Sequence, residues 1–225
     1  MCCKKKKKKK RFFLSALKQL ILAIIFLSAS IAVFFSPGQA QEKWVPDYDN
    51  RDEWQQPEKL LDAIGVEPGM NIADVGAGKG YFTFRLAKRV GSEGNVYATD
   101  IDERQLKTIK DRIQREGIKN IVTSLGKSDD PGLPEGQIDI VLMVHVFHIV
   151  IQEQDPLALL ENIRPSLKPE GLLVLVQWNG KKMGYPDVYA YSEESVLKII
   201  KNSCFELVRI ETFLPRDNIY VLRAK

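Results

Sequence analysis

The sequence predicts an α/β domain: a mostly parallel sheet with helices on both faces and an antiparallel C-terminal strand. Two observations carry this. Short β-branched runs alternate with helix-length amphipathic stretches from residue 57 to residue 202, the pattern of repeated strand–helix units. Two further strand-like runs at the C-terminus are joined by too few residues for a crossover helix, so they pair as a hairpin.

The first helix opens at Pro57, a residue suited to a first helical turn; it sets Leu60, Leu61 and Ile64 on one face and stops at Gly65. Asn71 to Val75 is a strand, followed by a glycine-rich turn and a helical stretch from Tyr81 to Val90 that Gly91 ends. The alternation continues with a strand over Asn95 to Thr99, a helix over Glu103 to Arg115 and a strand over Ile121 to Leu125. Ile138 to Val144 then precedes a helix over Asp155 to Leu167, and Leu172 to Gln177 precedes one over Ser192 to Asn202. Phe205 to Leu214 and Ile219 to Arg223 flank the turn Pro215-Arg216-Asp217-Asn218, and this hairpin is expected to add an antiparallel edge to the sheet.

At 225 residues, 44% of them hydrophobic and 28% charged, the chain has room for one good-sized core and is neither disordered nor a multi-span membrane protein by composition. The net charge of +4 is a property of one end. Of 33 basic residues nine (Lys4 to Lys10, Arg11, Lys18) lie in the first forty, which hold none of the 29 acids. Residues 41–225 therefore carry 24 basic against 29 acidic residues, a net of −5, so nucleic acid is not an expected partner and a small molecule is. Cys2, Cys3 and Cys204 make no disulfide framework, and Cys204, beside apolar residues, reads as a buried side chain.

Residues 1–40 form a basic leader. The lysine block, the apolar run Leu20 to Phe35 and Ser36-Pro37-Gly38-Gln39-Ala40-Gln41, with small residues before a cut, have the layout of a secretory signal peptide. Extended back to Phe12, the run also serves as an uncleaved signal anchor. In both readings the leader contacts the membrane, the lysines stay cytoplasmic, and the domain is exported, free after cleavage or membrane-anchored. Residues 41–56, polar with Trp44, Tyr48 and Trp54, have no period and read as an extended arm or lid before the domain at 57–225.

The sharpest motif is Asp74-Val75-Gly76-Ala77-Gly78-Lys79-Gly80, between the first strand and the helix after it. Ligands of open α/β sheets sit at the carboxyl ends of strands, where glycines let the backbone come close. A dinucleotide fingerprint needs a small residue where Tyr81 stands, and neither Ser nor Thr follows Lys79 to make a phosphate loop. Asp100 ends the second strand twenty residues past Gly80, in position to accept from both hydroxyls of a ribose. Asp102 and Glu103 read as acids at a helix N-terminus.

With Ile72 to Gly91, Asp100, Asp129-Asp130 before Leu133-Pro134, Asp139-Ile140-Val141-Leu142 and Leu167-Lys168-Pro169-Glu170-Gly171, the chain resembles class I S-adenosylmethionine-dependent methyltransferases over about residues 57–225. It is most similar to the small-molecule type, near the ubiquinone/menaquinone and arsenite methyltransferase-like branch. Arg51, Trp54 and Gln55 match an Arg-x-x-Trp-Gln segment of bacterial exported or membrane-anchored relatives.

The resemblance implies a Rossmann-like seven-stranded sheet with a reversed last strand, S-adenosylmethionine as cofactor, and a small-molecule methyl acceptor. It implies that Asp74 orients the glycine loop near the methionine ammonium, that Gly76, Gly78 and Gly80 pass close to the cofactor, and that Asp100 takes the ribose diol. Asp129 or Asp130 would meet the adenine amino group. After the fourth strand, His145 stands where relatives often carry an acid and Ile149 where they carry a second histidine. His145 and His148 are the candidate bases, and no metal is expected, since no third ligand lies near them. A sulfonium donor asks mainly for alignment of its methyl with a nucleophile, so a missing acid does not exclude catalysis. The competing reading is an exported, non-catalytic binding module that keeps the fold.

Overall fold

A computed structural model describes residues 50–185 and 188–225. The leader, Trp44 and Tyr48 lie outside these residues. The strands are β1 (Asn71–Val75), β2 (Asn95–Asp100), β3 (Ile121–Leu125), β4 (Ile138–Val144), β5 (Leu167–Trp178), β6 (Phe205–Glu211) and β7 (Asp217–Ala224). The helices are α1 (Arg51–Gln55), α2 (Pro57–Ala63), α3 (Thr83–Val90), α4 (Glu103–Glu116), α5 (Phe147–Glu153), α6 (Pro156–Ile163) and α7 (Glu193–Asn202).

One seven-stranded sheet runs β3-β2-β1-β4-β5-β7-β6, with β7 alone reversed. The period of two along each strand divides the core. Ile72, Leu142, Val174 and Val221 face α2, α3 and α4, while Ala73, Val141, Leu175 and Leu222 face α5, α6 and α7. Helices thus cover both faces, as alternation predicts. Their starts follow local chemistry: Asp102 accepts from the amide of Arg104 before α4, Asp155 accepts from Leu157 before α6, and Ser192 accepts from Ser195 before α7.

Three elements differ from expectation. The hairpin adds the antiparallel edge expected, but its two strands enter the sheet against chain order. It docks through β7, buried from Asp217 to Leu222, and leaves β6, with exposed Glu206, Leu207 and Val208, as the outer strand. The apolar strand goes inside because burial decides order within the hairpin. The second difference is α5, absent from the expected elements: Val144 to Ile151 is nearly all apolar, apart from its two histidines, and the N-cap residue Val146 has no side chain that can accept a hydrogen bond, so no period or start signal marks a helix.

The third concerns the arm. Its described part is no extended lid, since Arg51 to Gln55 are helical and both Trp54 and Gln55 are buried.

Candidate functional site

The carboxyl ends of β1, β2 and β4 meet at the glycine loop. The amides of Gly76 and Ala77 donate to the carbonyl of Thr99 in β2, at 2.8 and 3.0 Å, which turns the chain sharply after β1. Gly76 has φ +74°, and a Cβ there would lie 2.2 Å from Val146 Cγ2; only glycine lets the loop after β4 pack so close. Gly78 has φ +55° but nothing within 4 Å of the space its Cβ would fill. Its backbone therefore borders an open cradle. Gly80 differs, for it is packed against Phe84 and Ile109.

Asp100 is drawn to the same loop. Its Oδ2 accepts from the amide of Gly78 at 2.9 Å and its Oδ1 from that of Asp102, also at 2.9 Å. Half-buried at the strand end, the carboxylate keeps lone pairs for a diol at the cradle. Asp74 lies deeper. It is buried, accepts from Thr83 Oγ1 at 2.6 Å, and thereby ties β1 to the start of α3. Burial pushes its carboxyl up to about 6, against the Thr83 hydrogen bond and the Arg51 charge, which lower it.

Arg51 comes to this corner from α1, with its guanidinium 3.7 Å from the centroid of Tyr81. Tyr81 donates to Asp52 at 2.5 Å, and Arg85 clamps the same carboxylate at 2.8 and 2.9 Å. The Tyr81 hydrogen bond and Arg85 hold the Asp52 carboxyl below its usual range, while burial and Asp52 raise the Tyr81 phenol.

Asp129 and Asp130 sit in the loop after β3. Asp129 is exposed, and its carbonyl accepts from Asn162; the Asp130 side chain accepts from the amide of Gly132 at 2.8 Å. The two remain distinct: one carboxylate faces solvent and the other closes a turn.

His145 and His148 share a second cluster beyond the end of β4. His145 Nε2 lies 2.9 Å from Asp217 Oδ1, and Gln55 donates to Asp217 Oδ2 at 3.0 Å. The ring lies parallel to Trp54, centroids 5.8 Å apart, and 4.5 Å from Trp178. His148 packs against Trp178 and Tyr191, and burial lowers its imidazole to about 4, helped by His145. It is neutral at physiological pH. Among the described residues no three His, Cys, Asp or Glu side chains converge as metal ligands. Cys204 is half-buried, and burial pushes its thiol up to about 11, which favours the protonated form.

Sequence reasoning missed Asp217, Gln177 and Trp178. Asp217 looked like a turn residue, and only strand pairing shows Trp178 and Gln177 opposite Asp217 and Asn218. Gln55 was marked by its spacing from Arg51 and Trp54, with no role attached.

These features agree with what the chain is similar to. Residues 72–171 match a family described as a methyltransferase domain. A SAM-dependent methyltransferase from Aquifex aeolicus superimposes with a TM-score of 0.68 at 28% identity, over 76% of this chain and 92% of that one. Nocamycin O-methyltransferase of Saccharothrix syringae is 35% identical over 83 residues, 37% of this chain and 30% of that protein. A ubiquinone/menaquinone biosynthesis C-methyltransferase of Paraburkholderia phymatum is 30% identical over 130 residues, 56% of this chain and 51% of that protein. The chain thus spans about half or less of the length of these two curated relatives. Sheet order, glycine loop and family match converge on one conclusion: the chain has the Rossmann-like fold of class I methyltransferases, and its residues 72–171 match the methyltransferase domain, a family whose methyl donor is S-adenosylmethionine.

Proposed function

We propose that the protein transfers a methyl group from S-adenosylmethionine to a small organic acceptor. The observation that carries this is the open face of Gly78 beside Asp100, at the ends of adjacent parallel strands. In this reading Gly76, Gly78 and Gly80 shape the turn along the donor, Asp100 accepts from its ribose hydroxyls, and Asp129 or Asp130 meets its adenine. Asp74 steadies the loop through Thr83. The bound donor supplies an activated methyl; the chain's task is to align an acceptor with it and exclude water. The likeness to nocamycin O-methyltransferase and to a ubiquinone/menaquinone biosynthesis C-methyltransferase supports a small acceptor. The net charge of −5 over residues 41–225 disfavours nucleic acid.

The leader supports a location outside the cytoplasm, either after signal cleavage or tethered to the membrane. Among the described residues no helix is long and apolar enough to cross a membrane. N-terminal sequencing of the mature chain and cell fractionation test this; a cytosolic chain that keeps Met1 refutes it.

Calorimetric titration of the full chain with S-adenosylmethionine and S-adenosylhomocysteine, with NAD as comparison, tests the donor. Micromolar binding that Asp100→Ala weakens about tenfold or more is the expected result. Failure of a folded protein to bind would favour the non-catalytic module, a reading supported by His145 standing where relatives often carry an acid.

A further inference from the structure

The cluster around His145 holds more than packing requires. His145 has φ +57°, a left-handed conformation for a residue with a Cβ, and such strain persists where the surroundings over-determine it. What over-determines it is polar. Asp217, fully buried at the start of β7, accepts from both His145 and fully buried Gln55, while Lys182 Nζ donates to the Asp217 carbonyl at 2.6 Å. This uses Nε2 of the imidazole. Among the described residues its Nδ1 makes no hydrogen bond, yet it is not among the atoms sealed from solvent as His148 Nδ1 is.

The ring also lies in the right quarter of the molecule. Val146, the next residue, is the side chain against which Gly76 packs, so the His145 backbone adjoins the glycine loop. Beside the ring stand flat walls, Trp54 and Trp178, and Tyr191 packs on Trp178 in turn. Beside them are buried polar atoms with no hydrogen-bond partner among the described residues: Gln177 Nε2, His148 Nδ1, Arg216 Nη1 and Asn218 Oδ1. An unpaired buried polar atom costs about 1–3 kcal/mol, and four in one corner mark it as built for more than packing.

Resting on the methyl-transfer reading above, we infer that His145 Nδ1 is the general base for a phenolic hydroxyl on a flat acceptor, and that Asp217, steadied by Gln55, is its positioning residue. As the acceptor oxygen attacks, its O–H proton passes to Nδ1. The new O–CH3 bond forms while the methyl–sulfur bond breaks, and that bond's electron pair turns the sulfonium into a neutral thioether. The positive charge thus moves to the imidazolium, beside the Asp217 carboxylate, and the proton leaves later to water. Asp217 also selects the tautomer, since with Nε2–H donated to it Nδ1 is left bare. His148, neutral and without a carboxylate partner, serves as a hydrogen-bonding wall.

The chain holds only two histidines, so long-range 15N–1H correlation spectra of the full chain resolve each imidazole. With His145→Gln used for assignment, wild-type His145 is expected as the Nε2–H tautomer, and Asp217→Asn is expected to mix the two tautomers. A wild-type Nδ1–H tautomer overturns the inference. For kinetics the probes are 13C-methyl S-adenosylmethionine with 4-methylphenol and with 4-nitrophenol, which is largely ionised in mildly alkaline buffer and needs no base. Asp217→Asn should lower kcat on 4-methylphenol about tenfold or more, lower it far less on 4-nitrophenol, and leave KM for the donor within about twofold. Equal losses on both phenols overturn the positioning role. No transfer to either phenol by protein that binds the donor overturns the acceptor class, whereas no donor binding overturns the methyl-transfer reading instead. If Asp217→Asn does not fold, Gln55→Met, which keeps the carboxylate, is expected to show the same pattern in weaker form, and its absence counts against the inference.

Discussion

At the scale of the residue, the two glycines that begin the loop do different work. Gly76 has no room for a Cβ because of Val146, whereas Gly78 has room but faces the cradle. Gly76→Ala is expected to destabilise the fold by about 3 kcal/mol, through clash and backbone strain together, in urea unfolding. Gly78→Ala should cost only about 1–2 kcal/mol in stability but weaken S-adenosylhomocysteine binding about tenfold or more in calorimetry. The two shifted acid–base groups oppose each other. Asp74 titrates near 6 when folded and near 3.8 when unfolded, so the folded state binds the extra proton and stability rises as pH falls through that window. His148 titrates near 4 when folded and near 6.5 when unfolded, so the unfolded state binds the proton and stability falls as pH falls. Each effect is on the order of 3 kcal/mol at full titration, and they nearly cancel between about pH 4 and 6. Urea unfolding of the cofactor-free protein should therefore show His148→Gln gaining relative stability on acidification and Asp74→Asn losing it.

Among the elements, α1 depends most on its surroundings. Five residues make too short a helix to persist alone, so tertiary contacts hold it: Trp54 against His145 and Gln55 on Asp217. Trp54→Ala is expected to cost about 3–5 kcal/mol and to open the chain at Arg51 to trypsin, while the far-ultraviolet circular dichroism of the sheet persists. If Arg51 stays protected, α1 is held by its polar contacts alone. The same dependence explains why α1 reads as irregular chain in the sequence. Neither its length nor its pattern announces a helix, and Trp54 becomes core only once β4 and β7 bring up His145 and Asp217.

For the whole molecule, binding and stability are linked. A ligand at a hundred times its Kd stabilises by about 2.7 kcal/mol, which for a domain of this size raises Tm by roughly 5–10 °C. Thermal unfolding with S-adenosylhomocysteine should show this rise with the logarithm of concentration, and NAD should give none. The glycine loop and Asp100 were legible as a candidate site because such a strand end has local chemistry: a carboxylate, closely spaced glycines, then a helix. Most of the fold was legible too, from Ile72 to Leu222, because short apolar strands alternate with crossovers long enough to hold a helix, α5 excepted.

What the sequence by itself determined is therefore what short-range chemistry dictates: the alternation of strands and helices, the hairpin, the caps at Asp102, Asp155 and Ser192, and the loop that meets Asp100. Tertiary structure alone decided that β7 enters the sheet inside β6, that Val146 crowds Gly76, and that Gln55 and His145 converge on Asp217 from distant parts of the chain. The reason is physical. Gln55 and Asp217 stand 162 residues apart, and no local preference encodes a contact that exists only because burying apolar faces brings those strands together.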